Sequence, residues 1–69
     1  FNMRFVNIIT KWCDTVAINV NNITSIQMGD GTVYIYMCGD SPIATQFTDI
    51  EHAVDYFQRA PSVSLQEVA

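Results

Sequence analysis

The chain has 69 residues with seven acidic and three basic side chains, a net charge of −4, so it holds one small domain with one modest core. Arg4, Lys11 and Arg59 are too few and too scattered to build the basic patch that nucleic-acid phosphates require, and an anionic membrane surface would repel the chain. Hydrophobic residues make up 49% and charged residues only 14%, so the chain either exposes apolar surface or covers it with a partner, most simply a second copy of itself.

Met3 reads as a native start, with Phe1 and Asn2 (residues 1–2) added ahead of it; a fragment of something longer is the alternative. Residues 3–60 are expected to form the domain and residues 61–69 a tail. Met3 to Trp12 reads as strand one, with apolar groups on both faces: Met3, Phe5 and Ile9 on one, Val6, Ile8 and Trp12 on the other. Cys13-Asp14 is a plausible hairpin turn. Thr15 to Val20 is strand two, with Val16, Ile18 and Val20 on one face. Asn21-Asn22 marks a turn, because Asn tolerates left-handed backbone and bonds its own chain.

Ile23 to Met28 is strand three, with Ile26 and Met28 inward. Gly29-Asp30-Gly31 closes the next hairpin, where glycine supplies positive φ cheaply. Thr32 to Cys38 is the strongest strand of the chain, β-branched or aromatic almost throughout. Val33, Ile35 and Met37 face one way, Tyr34, Tyr36 and Cys38 the other. After a turn at Gly39-Asp40-Ser41-Pro42, Ile43 to Phe47 is strand five, with Ile43 and Phe47 inward and Ala44 and Gln46 outward.

The hydrophobic period then changes from two to about 3.6. Thr48-Asp49-Ile50-Glu51 reads as a capping box opening a helix, and Ile50, Ala53, Val54 and Phe57 form its apolar stripe. Asp55 and Arg59 stand four apart and can pair. Ala60-Pro61 ends the helix. Val63, Leu65 and Val68 could dock the tail on an open edge or on a partner. The expected fold is α+β: an antiparallel β-meander of about five strands followed by one C-terminal α-helix packed on one sheet face. The helix should rest on Val16, Ile18, Ile26, Val33, Ile35 and Phe47.

Chemistry-bearing residues are sparse. Cys13 and Cys38 should lie roughly a strand length apart, about 20 Å at ~3.3 Å per residue, beyond the ~7 Å Cα separation of a disulfide. Two free thiols are expected, with His52 on the helix and no Cys-His pair. Asp14, Asp30 and Asp49 fall near one end of the meander, but each has a local role in a turn or cap and their spacing matches no metal loop. Gly29-Asp30-Gly31 lacks the following helix and Lys of a phosphate loop. No catalytic residue, metal site or cofactor is expected.

The residues that stand out are Trp12, Tyr34, Tyr36 and Phe5, which combine apolar area with, in Trp and Tyr, a polar handle suited to an interface. The other reading is a satellite cluster over the second sheet face. From Val16 to Phe57 the pattern Asn21-Asn22-Ile23-Thr24-Ser25-Ile26, Val33-Tyr34-Ile35 and an acidic-capped last helix resembles small bacterial flagellar-operon proteins of the FlbD/SwrD type. The Asn-Gly turn and basic residues of that pattern are missing here, and no function is drawn from it.

The expected function is therefore a non-enzymatic protein–protein interaction module, homodimeric, or a small regulator or inhibitor of a larger machine of the kind bacteria and phages encode. Alternatives are an accessory domain of a larger protein and a small ligand-binding protein or enzyme. An acidic nucleic-acid mimic ranks below these, because the carboxylates are spread over turns and helix. No run of about 18 apolar residues is present, and the N-terminus lacks a signal-peptide pattern, so the expected address is cytoplasmic.

Overall fold

The computed structural model describes residues 4–39 and 41–63. Met3, Asp40 and the tail residues Leu65 and Val68 lie outside them. In chain order the elements are β1 (Phe5–Ile9), β2 (Thr15–Asn19), a 3-10 turn (Val20–Asn22), β3 (Ile23–Gly29), β4 (Thr32–Met37), β5 (Ile43–Ala44) and α1 (Ile50–Arg59). All strand pairs are antiparallel and the C-terminal helix packs on the sheet, the expected α+β arrangement.

The strands form two sheets, β1-β2 and β3-β4-β5. The break falls at the asparagines between β2 and β3. Asn19 Oδ1 accepts the Asn21 N–H at 3.0 Å, and such local bonds compete with a ladder. The sheets meet instead through the ends of β1 and β5. Thr10 bridges Thr45, the Lys11 N–H donates to the Ala44 carbonyl at 2.9 Å, and the Gln46 N–H donates to the Ile9 carbonyl at 3.2 Å. Thr45, 1% exposed, fastens this seam. Its hydroxyl donates to the Val33 carbonyl at 2.8 Å and accepts the Phe47 N–H at 3.2 Å.

Asp30 and Gly31, with φ of 52° and 76°, make the two-residue β3–β4 turn, the type I′ signature. Gly29 is not part of that pair. It sits in β3 opposite Thr32, where a Cβ would come within 3.2 Å of Tyr34 Cε1. Its missing side chain leaves room for the tyrosine ring.

The core joins Val6 and Ile8 of β1, Ile18 of β2, Val33 and Ile35 of β4, and Ala53 and Phe57 of α1, with Ala60 just beyond. Val16, Ile26 and Phe47 pack against it, so every residue expected beneath the helix is there. Phe47, Tyr56 and Phe57 form a mutually tilted aromatic group with ring centroids 5.4 to 5.9 Å apart.

Some expected details shift. Met28, expected inward, is 44% exposed, because it lies at the sheet end beside the Asp30-Gly31 turn. Ala44, expected outward, is 6% exposed, since Tyr34 and the Lys11 backbone flank it on either side. The helix cap is Asp49 rather than Thr48. Asp49 Oδ2 accepts the His52 N–H at 3.0 Å, and Ile50 is the first helical residue. At the other end Ala60 turns extended before Pro61, as expected. Arg4 closes the helix by donating to the carbonyls of Phe57, Gln58 and Ala60.

Candidate functional site: the surface around the end of β1

Residues 10–14 replace the end of the expected long first strand with a turn. The Thr10 N–H donates to the Asp14 carbonyl at 2.8 Å and the Cys13 N–H to the Thr10 carbonyl at 2.9 Å. Thr10 Oγ1 accepts the N–H groups of Trp12 at 3.3 Å and Asp14 at 3.2 Å, and Cys13 takes a left-handed φ of 70°. With Thr10 turned inward to organise the loop, Trp12 is pushed out and stands 71% exposed.

Tyr34 and Tyr36 are half-buried on the outer face of β4, Tyr34 opposite Gln27 and Ala44, Tyr36 opposite Ser25. Phe5 is half-buried at the far end of β1, opposite Asn19 of β2, in the sheet that does not hold the tyrosines. The two tyrosines thus share a face, while Phe5 and Trp12 mark opposite ends of the first hairpin.

A groove that the sequence reading missed lies between β1 and the aromatic group. It has a volume of about 420 Å³ and is lined by Asn7, Ile8, Ile9, Thr15, Gln46, Phe47 and Tyr56. Ile9 is 50% exposed at its wall. The available signal was the second apolar row of strand one, which leaves Ile9 facing away from the core. Phe47 and Tyr56 reach the groove only because the chain after β5 folds back along β1, which no local pattern encodes.

Backbone hydrogen bonding along β1 explains the groove. Arg4 and Thr10 bond to Val20 and Asp14 across the first hairpin, so even-numbered residues of β1 face β2 and odd-numbered ones face away. The outward carbonyls are taken by separate segments: Phe5 by the Val63 N–H at 2.7 Å, Asn7 by the Tyr56 hydroxyl, Ile9 by the Gln46 N–H at 3.2 Å. This edge is stapled at points rather than covered by a continuous strand, and the gap between staples is the groove. Its lining offers apolar contact with amide and hydroxyl groups at the rim.

The side chains of Arg4, Asp49, Asp55 and Arg59 have partners. Arg4 holds the helix end, and Arg59 pairs with Asp55 at 2.7 Å, the expected four-residue spacing. Lys11 is exposed. His52 Nδ1 lies 3.4 Å from Asp49 Oδ2. Cys13 and Cys38 are free and exposed, with Gln46 Nε2 3.4 Å from Cys13 Sγ. Among the described residues no group of three or more His, Cys, Asp or Glu side chains could hold a metal ion, and no helix is long and apolar enough to cross a membrane. Compared with protein-family models, curated proteins and solved structures, the chain matches none of them.

Proposed function

We propose that the chain is a non-enzymatic protein–protein interaction module that self-associates and works in the cytoplasm as a small regulator or inhibitor. The observation that carries this reading is the apolar surface at the end of β1. Ile9 stands 50% exposed at the wall of the Phe47–Tyr56 groove, and Trp12, three residues further along the chain, is 71% exposed. Exposed aromatic and aliphatic anchors next to a recess are the usual make-up of an interface centre. A chain with 14% charged residues has little polar cover to keep such a surface solvated alone.

Light scattering across a dilution series tests the reading. A dimer mass at high concentration that falls to the monomer mass on dilution is expected. A folded monomer at every concentration would remove self-association from the proposal.

A further inference from the structure

We infer that the self-association runs through β2, whose outer edge pairs antiparallel with β2 of a second copy about a twofold axis at Ala17. This rests on the self-association reading, places the contact along the β2 edge rather than on the Ile9–Trp12 surface, and names its strand and register. The alternation that turns Arg4 and Thr10 toward Val20 and Asp14 leaves the backbone groups of Thr15, Ala17 and Asn19 pointing away from β1. Among the described residues, β2 has β1 as its one neighbour in its sheet. Placing Ala17 opposite its own counterpart sets Thr15 opposite Asn19 on both sides. That register gives every outward N–H of β2 an acceptor; the Asn19 carbonyl, which as N-cap of the 3-10 turn already takes the turn's first bond, accepts with its second lone pair.

The other edges are less suited. The outward carbonyls of β1 are already bonded to Val63, Tyr56 and Gln46. β3 shifts register between Ile23 and Ser25, and Val54 and Gln58 of α1 approach it beside Ile23 and Ile26. β2 carries none of the usual protections of an edge strand: no Pro, no charge, no register shift.

Charge selects a second copy as the occupant. No charged residue lies between Thr15 and Gly29, whereas α1 and its cap carry Asp49, Glu51, Asp55 and Arg59. For a chain of net charge −4, two copies repel wherever their acidic surfaces meet. The uncharged edge lets them approach without opposed carboxylates. Pairing two five-residue strands buries little area, so the dimer is weak and concentration-dependent.

The test is a charge swap at Ala17, which is exposed, so that either charge fits the folded monomer. In the proposed register the two position-17 side chains face each other at about 5 Å. Ala17→Lys alone and Ala17→Glu alone are each expected to halve the mass at a concentration where wild type is dimeric, with unchanged far-UV circular dichroism. An equimolar mixture of the two is expected to restore the dimer mass. Amide exchange on wild type gives a readout without mutation: the Thr15, Ala17 and Asn19 N–H groups should slow as concentration rises. Dimers that persist in both single variants, or concentration-independent exchange at these amides, would overturn the β2 pairing and leave self-association standing. If Trp12→Ser alone dissociates the dimer, the contact moves to the groove end of β1. A wild-type monomer throughout would remove both proposals.

Discussion

At the scale of single residues, Arg4 and Thr45 do work that their positions in the sequence do not announce. Arg4 is one of only three basic residues, yet its guanidinium is spent on the carbonyls at the end of α1. Those groups have no partner within the helix, and a cation there also suits the helix dipole. Arg4→Ala is expected to lower stability by about 2 kcal/mol, seen as a lower urea midpoint with an unchanged slope. An unchanged midpoint would mean that water replaces the guanidinium without loss. The Asp55–Arg59 pair, exposed on both sides, should contribute only a few tenths of a kcal/mol. The sequence marked that pair and missed Arg4, because a four-residue spacing is local and a partner more than fifty residues away is not.

At the scale of elements, capping and turn chemistry were legible in type but not always in position. The acidic stretch before the helix was recognisable, yet Asp49 and not Thr48 caps it, since both residues suit an N-cap and only the backbone path decides. Asp49→Ala should cost about 1 kcal/mol and Thr48→Ala distinctly less, measured by denaturant titration of the two variants; equal losses would return the cap to Thr48. The β3–β4 turn shows the same division. Two glycines drew attention to it, but Asp30 and Gly31 carry the left-handed conformations. A Cβ on Gly31 meets nothing within 4 Å, so Gly31→Ala isolates the conformational cost, expected at about 1 kcal/mol. Thermal unfolding reads it, and an unchanged midpoint would show that the turn relaxes freely.

At the scale of the whole molecule, the division into two sheets controls what the surface presents. A continuous meander would have paired β2 with β3. The 3-10 turn prevents that, leaves the outer edge of β2 without a strand partner among the described residues and sends the closure of the molecule to the Thr10–Thr45 bridge. Thr45→Val keeps the volume but removes the hydroxyl that accepts the part-buried Phe47 N–H. A loss of about 1–3 kcal/mol is expected, with denaturant unfolding as the measure; a neutral result would mean that the seam holds by packing alone. The groove beside Ile9 belongs to this scale too, since it exists only where β1, Gln46, Phe47 and Tyr56 come together.

What the sequence by itself determined follows from short-range rules. Alternating apolar residues placed Ile18, Val33 and Ile35 inward, and the change to helical spacing placed Ala53 and Phe57 over them, while strand one, apolar on both faces, left open that Val6 and Ile8 are its buried row. The charge count alone kept the cations too few for a basic patch. Tertiary structure decided the rest: where the meander breaks, which edge of β1 is stapled, how Trp12 comes to be exposed and where a groove opens. Side-chain periodicity reports which face of an element is buried. It carries no information about which distant backbone groups meet, and those meetings fix the edges and recesses through which this chain can bind.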